Sequence, residues 1–143
     1  MKFPYNVLYY ICQTNIIIME TLEIVYNNEK RTVLLPQVGM VGTMFVGSDR
    51  YVVCCNTVFS NKKCGIVILY QLDERNVDKF IYKDNCGTEY LKSDAYNEFL
   101  PNNETIYYSL RKNGIWYPVG CKMQAGCHGV KFGFARPYQD PSF

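Results

Sequence analysis

Polar turns divide this chain into short runs of β-branched and aromatic residues, and this spacing restricts it to a β-rich fold. Three runs, 41–46, 51–59 and 64–72, are joined by the polar segments 47–50 and 60–63. Runs of this length with turns between them are typical of antiparallel strands, because helices need longer periodic segments. Alanine, the best helix former, occurs only three times in 143 residues. The pattern therefore predicts a three-stranded meander.

Two further β-hairpins are predicted, one on each side of the meander. In residues 21–35, apolar positions alternate around the polar sequence Asn-Asn-Glu-Lys, which favours a first hairpin. The second surrounds Asn113 and Gly114, since 105–111 and 115–119 are rich in aromatic and β-branched side chains. Asn and Gly both tolerate positive φ, so this pair predicts a type I′ turn.

The domain prediction follows from these strands. We expect a mainly β fold, a single-domain antiparallel β-sandwich or barrel, with one or two short helices between Asp73 and Leu100. Residues 1–18 form either an apolar N-terminal extension or a first strand, and residues 19–136 form the β-rich domain. Residues 137–143 contain two prolines and are expected to be a loose C-terminal tail.

Charge and hydropathy argue against two classes of partner. The net charge is +2, from 15 basic and 13 acidic residues spread along the chain. This balance lacks the basic patch typical of proteins that bind nucleic acid or anionic membranes. The apolar segment 3–18 is interrupted by polar residues and is too short to span a bilayer. We therefore expect no nucleic-acid partner and no membrane partner.

The cysteines favour a reducing compartment. There are seven, so at least one remains unpaired if the others form disulfides, and no cleavage site for a secretory signal follows the apolar segment. We expect reduced cysteines in a cytoplasmic, intracellular protein, with secretion left open. The frequent Asn, Ile and Lys residues are typical of AT-rich coding genomes, including those of many large DNA viruses, so a viral protein is one interpretation.

The single histidine limits the catalytic possibilities. His128 follows Cys127 directly, whereas a Cys–His catalytic pair is usually assembled from separate segments. His128 could instead act with Cys54, Cys55 or Cys64 across a sheet. No Cys-x2-Cys pair is present, so we predict no metal site, and no motif indicates a cofactor. These features lean away from an enzyme without excluding one.

Paired aromatic residues are the candidate binding site. Neighbouring residues of a strand point to opposite faces, so Trp116 and Tyr117 cannot both face one core. The same holds for Tyr107 and Tyr108. We therefore predict that these four residues bind a partner and that at least one ring of the Trp116–Tyr117 pair lies near the surface.

The functional prediction is a non-enzymatic β-rich binding or assembly module that makes protein–protein contacts, such as a viral structural or host-directed factor. A protein partner or self-assembly would use a flat aromatic patch. The first alternative is a carbohydrate-binding, lectin-like module, which would need a shallow pocket with Trp or Tyr beside Asn and Asp. The second is a cysteine-dependent enzyme, which would need His128 within hydrogen-bond reach of a thiol.

Overall fold

The computed structural model describes residues 5–12, 15–124 and 127–141, with side chains described for residues 20–124 and 128–141. The predicted fold class is confirmed: the described residues are mainly strands with two short helices. Six of these strands form a closed antiparallel barrel in the order β10-β11-β4-β5-β6-β9. The strands are β1 Tyr5–Cys12, β2 Asn15–Tyr26, β3 Glu29–Leu34, β4 Val41–Val46, β5 Asp49–Ser60, β6 Lys63–Leu69, β7 Ile81–Lys83, β8 Glu89–Leu91, β9 Thr105–Leu110, β10 Trp116–Pro118 and β11 Cys127–Phe132; the helices are α1 Val77–Phe80 and α2 Ser93–Phe99.

The predicted meander forms three adjacent barrel strands, β4, β5 and β6. Val46 pairs with Asp49 and Ser60 pairs with Lys63, so each polar segment is reduced to a two-residue turn. The barrel closes at β10, which pairs along its three residues with β9 and through Trp116 with Val130 of β11. Closure therefore depends on the shortest strand of the barrel.

Strand β5 is buried on both of its faces, which gives the molecule two cores. Val53 and Cys55 point into the barrel, whereas Val52 and Cys54 point outward against the helical segment. The barrel core contains Leu22, Leu35, Met40, Met44, Val53, Cys55, Cys64, Ile66, Tyr108, Trp116, Val130 and Phe132. The outer core contains Val41, Val52, Cys54, Val67, Leu69, Leu72, Val77, Leu91, Ala95, Leu100 and Ala135.

A separate three-stranded sheet has the order β1-β2-β3, and residues of β2 and β3 pack against the barrel core. The predicted hairpin over 21–35 is present as β2 and β3, joined at Asn27 and Asn28. Both asparagines have positive φ, 51° and 63°, as a two-residue hairpin turn requires. Leu22 of β2 is buried in the barrel core, and Ile24 packs against it.

The helices lie between β6 and β9, where the sequence predicted them. The first of them, α1, begins at Val77, and residues 74–76 before it form a turn. The Asn76 side chain holds this turn, because its Oδ1 accepts the Asp73 N–H at 2.8 Å and its Nδ2 donates to the Gln71 carbonyl at 2.9 Å. None of the helices within the described residues has the length and apolar character needed to cross a membrane.

The C-terminal segment, expected to be loose, is hydrogen-bonded to the barrel within the described residues. Tyr138 and Arg50 exchange two backbone hydrogen bonds, of 2.7 and 2.9 Å. Upstream, the buried Glu89 carboxylate accepts the Ala135 N–H at 2.7 Å and Arg136 Nη1 at 2.9 Å. Residues 142 and 143 lie outside the described part of the chain.

The hairpin around Gly114 is confirmed, but the predicted type I′ turn is wrong. The Arg111 N–H donates to the Ile115 carbonyl at 3.1 Å, and the Gly114 N–H donates to the Arg111 carbonyl at 2.9 Å. These bonds define a three-residue loop in which only Gly114 has positive φ, 85°. Asn113 instead accepts the Ile115 N–H with its side chain. Three-residue hairpin loops need a left-handed residue only at their last position.

Gly114→Ala should destabilise the fold more than the matched variant Gly120→Ala. Both glycines have nearly the same φ, 85° and 87°, so both substitutions cost about 1 kcal/mol of backbone strain. A Cβ at Gly114 would lie 2.9 Å from Ile24 Cδ1 and 3.1 Å from Val33 Cγ2, whereas none of the described atoms lies within 4 Å at Gly120.

Urea unfolding should therefore show an additional loss of about 1 kcal/mol for Gly114→Ala, from overpacking against the β2–β3 hairpin. Equal losses for the two variants would contradict the packing of that hairpin on the loop.

Candidate functional site

Three of the four aromatic residues predicted to bind a partner are buried. Tyr108 and Trp116 are each 1% exposed and Tyr117 is 3% exposed, whereas Tyr107 is 50% exposed. The prediction that one ring of the Trp116–Tyr117 pair lies near the surface is therefore wrong. Tyr107 is the residue of this set that remains available to a partner.

The Trp116–Tyr117 pair is buried because both faces of β10 are covered. Trp116 points into the barrel and packs edge-on against Phe132, with ring centroids 5.6 Å apart. Tyr117 points outward but lies against Gly129, where a Cβ would be only 3.3 Å from the tyrosine Cε1. The Arg111 guanidinium lies 5.8 Å from the Tyr117 ring centroid. A glycine and an arginine thus provide a second packing surface for the outward ring.

Tyr108 has a structural role inside the barrel. Its hydroxyl donates a hydrogen bond of 3.0 Å to the backbone carbonyl of His128. His128 lies in a bulge of β11, where the register shifts between Cys127 and Gly129, and its φ is 60°. A bulge leaves an extra residue outside the regular ladder, so this contact ties β9 to an irregular part of β11.

Tyr107 belongs to an exposed apolar surface, which we call the aromatic patch and define as Phe59, Tyr107 and Val119. The three side chains are 53%, 50% and 51% exposed. The Phe59 and Tyr107 rings contact each other with centroids 5.5 Å apart, and the Val119 N–H donates to the Tyr107 carbonyl. The Lys63 ammonium lies 5.7 Å from the Phe59 ring centroid. The patch is thus a continuous surface on the outer wall of the barrel.

Sequence reasoning found Tyr107 but missed Phe59 and Val119. Phe59 reaches Tyr107 because the register of β5 against β6 shifts between Val58 and Ser60. Such a bulge turns a side chain away from the alternation that a sequence pattern assumes. Strand register was therefore the missing information, and composition carries no signal for it.

A second surface contains tyrosines beside polar groups, and we call it the tyrosine hollow. It has a volume of about 530 Å³ and includes Tyr51, Tyr70, Tyr138, Asp73 and Gln139 in its lining. The rings of Tyr51 and Tyr70 meet edge to face with centroids 5.4 Å apart, and Tyr70 is 65% exposed. The hollow thus has tyrosine beside Asp73, but its described lining lacks the asparagine that the lectin-like alternative called for.

Three cysteines that were candidates for chemistry are fully buried. Cys54, Cys55 and Cys64 each have 0% exposure. Burial, reinforced by the neighbouring Cys55, raises the pKa of Cys54 to about 12. The Cys55 thiol donates to the Thr57 carbonyl at 3.6 Å. The hydrogen bond between the two thiols lowers the pKa of Cys55, and together with burial it raises the pKa of Cys64 above its usual range. These thiols are inaccessible to a substrate.

The described residues do not bring His128 together with a thiol. His128 is exposed on the bulge, and no hydrogen bond of its side chain to Cys54, Cys55 or Cys64 is present among the described residues. In the same part of the chain, no three His, Cys, Asp or Glu side chains are close enough to hold a metal ion. The side chain of Cys127 lies outside the described residues. Among the side chains that the structure describes, no assembled site therefore supports the cysteine-dependent alternative.

Native-state alkylation should separate the cysteines by burial. Iodoacetamide at pH 8 should label Cys121, which is exposed, and leave Cys54, Cys55 and Cys64 unlabelled, because thiolate and access are both required. After unfolding without reductant, peptide mapping by mass spectrometry should find all seven cysteines labelled.

Labelling of the three buried cysteines in the folded protein would contradict the two-core packing. The five cysteines whose side chains are described form no disulfide with one another. Three disulfides in the unfolded, unreduced chain would therefore contradict both this arrangement and the expected reducing compartment.

Comparison with protein-family models, curated proteins and solved structures found no match for this chain.

Proposed function

We propose that this chain is a non-enzymatic protein-binding module that contacts another protein through the aromatic patch. The observation that carries the proposal is the exposure of Phe59, Tyr107 and Val119 side by side on the barrel wall. Aromatic side chains are enriched at the centres of protein interfaces, because they bury a large area at low conformational cost. A contiguous exposed apolar surface rimmed by polar groups is typical of an interaction site.

The position of the patch supports a preformed interface. Gly65 of β6 pairs with Tyr107, and Cys64 pairs with Val58, so both rings are carried by paired barrel strands. The helices cover the outer face of the same sheet at Cys54 and Val67 but leave the patch exposed. A rigid backbone reduces the ordering cost of association, so a small patch can contribute useful binding energy.

The narrower parts of the proposal rest on sequence features. We propose an intracellular, cytoplasmic protein because an odd number of cysteines, three of them fully buried, suits a reducing compartment. A viral structural or host-directed role is proposed from the Asn-, Ile- and Lys-rich usage alone. Self-association through the patch is the principal competing form of the same interaction.

Alanine substitutions in the aromatic patch should weaken binding of the protein partner. The partner is first identified by affinity capture and then purified. Tyr107→Ala and Phe59→Ala should each weaken its binding by about 10-fold or more, as expected for interface aromatics. Tyr82→Ala is a matched control, because Tyr82 is 47% exposed and stacks on Tyr90 in a different sheet. Calorimetry with the purified partner measures the dissociation constants.

An unchanged dissociation constant for both patch variants would contradict the proposal. Sedimentation of the protein alone provides a second test. A concentration-dependent dimer that Tyr107→Ala abolishes would show that a second copy of this chain occupies the patch.

Carbohydrate binding is a second candidate because the tyrosine hollow places exposed rings beside Asp73 and Gln139. An aromatic face with a few fixed polar groups is a common arrangement in small-ligand sites. On a glycan array, the wild-type protein should bind a defined set of sugars, and Tyr70→Ala should bind the same sugars about 10-fold or more weakly. Tyr107→Ala is the control, since it lies outside the hollow. Absence of sugar binding by the wild-type protein would reject this candidate.

A further inference from the structure

A second hollow, of about 470 Å³, lies beside the three-residue loop of the β9–β10 hairpin. We call it the cationic hollow. It shares no residue with the aromatic patch and is lined mainly by residues of β4 and β11 and of the hairpin loop, together with Tyr117 of β10. The side chains that matter for its chemistry are Tyr26, Phe45, Ile115, Tyr117, Arg50 and Lys131.

Two cations converge on one aromatic ring at this site. The Arg50 guanidinium lies 4.8 Å from the centroid of Phe45, and the Lys131 ammonium lies 6.0 Å from the same centroid. Contacts of this length between a cation and a ring are favourable, and they hold both charges at the edge of the hollow. The aromatic ring thus fixes two positive groups at one position.

Neither cation of the hollow forms an ion pair with a described carboxylate. No Asp or Glu side chain lines the hollow, and within the described part of the chain neither Arg50 nor Lys131 has a carboxylate within 4.0 Å. The nearby Arg31, by contrast, is 3.6 Å from Glu29. Two unpaired cations beside an apolar surface favour an anionic ligand.

The strand register creates the space. Phe45 pairs with Arg50 on one side and with Gly129 on the other, so the position next to the ring carries no side chain. A Cβ at Gly129 would lie 3.0 Å from Ile115 Cγ2, so even a methyl group would crowd the wall of the hollow. The walls are therefore parts of paired strands and a hairpin loop, which makes the hollow a preformed feature of the barrel.

We propose that the cationic hollow binds a small organic anion. Arg50 and Lys131 would hold a carboxylate, phosphate or sulfate group, while Phe45, Tyr26 and Ile115 would pack against an apolar body. The volume lies in the range of small-molecule sites, which combine mainly apolar walls with a few placed polar groups. Arginine suits this role because its planar fork matches the geometry of oxyanions.

The test is an NMR titration of the full chain with phenyl phosphate as the probe. Amide signals of Phe45, Gly129 and Lys131 should shift together, with a dissociation constant of about 1 mM or below. Inorganic phosphate should bind at least about 10-fold more weakly, because it lacks the apolar body, and benzyl alcohol should not bind at a comparable concentration, because it lacks the charge.

Variants test whether phenyl phosphate binds in the cationic hollow. Lys131→Gln should weaken phenyl phosphate binding by about 10-fold or more, whereas Lys62→Gln, on the exposed turn between β5 and β6, should leave it unchanged. Tyr107→Ala should also leave phenyl phosphate binding unchanged. A failure of the anion-binding proposal is therefore distinguishable from a failure of the protein-binding proposal for the aromatic patch. Unchanged thermal unfolding of Lys131→Gln shows that a loss of binding is not a loss of fold.

Three results would overturn the proposal. The first is the absence of any amide shift with phenyl phosphate at about 10 mM, because a specific small-molecule site would bind the probe below that concentration. The second is an equal affinity for Lys131→Gln and wild type. The third is tight binding of a hexaglutamate peptide without binding of phenyl phosphate, which would assign the hollow to an acidic protein segment instead.

Discussion

Closure of the barrel through β10 is the constraint on which the rest of the structure depends. This strand has three residues and pairs with β9 along its whole length, but it pairs with β11 only through Trp116 and Val130. So short a ladder provides few hydrogen bonds, and side-chain packing supplies the remaining stabilisation. Trp116 fills the barrel interior against Phe132, and Tyr117 packs on Gly129 outside. Large aromatic residues at this seam therefore stabilise closure, because each buries an extensive apolar surface.

Burial on both faces of β5 determines where the molecule can react or bind. One face belongs to the barrel core and the other is covered by α1 and α2, so Cys54 and Cys55 are both excluded from solvent. Desolvation favours the neutral form of Cys54, and the lack of solvent access makes both residues packing elements rather than nucleophiles. The helical cover ends before Phe59 and Tyr107, and there the outer wall of the barrel becomes an exposed apolar surface.

Irregularities in the ladder produce the two surfaces that we propose for binding. The bulge near Phe59 brings that ring against Tyr107, and the bulge at His128 precedes the glycine that opens the cationic hollow. The two surfaces share no residue, although Tyr117 of the hollow and Val119 of the patch lie two residues apart at β10. Bulges re-aim side chains without breaking the sheet, which suits a barrel that keeps a rigid interior while it presents particular groups outside.

The sequence by itself determined the elements whose signals are local. The spacing of polar turns predicted β4, β5 and β6, and the Asn-Gly pair predicted the hairpin of β9 and β10, because turn chemistry and strand alternation act within a few residues. Only the tertiary structure decided how many faces of each strand are covered. At least one ring of the Trp116–Tyr117 pair was predicted to reach solvent, because alternation sends the two rings to opposite faces. The rings do lie on opposite faces, but Gly129 and Arg111 cover Tyr117. The aromatic patch and the cationic hollow likewise depend on register between strands distant in sequence, which a single chain of residues does not specify.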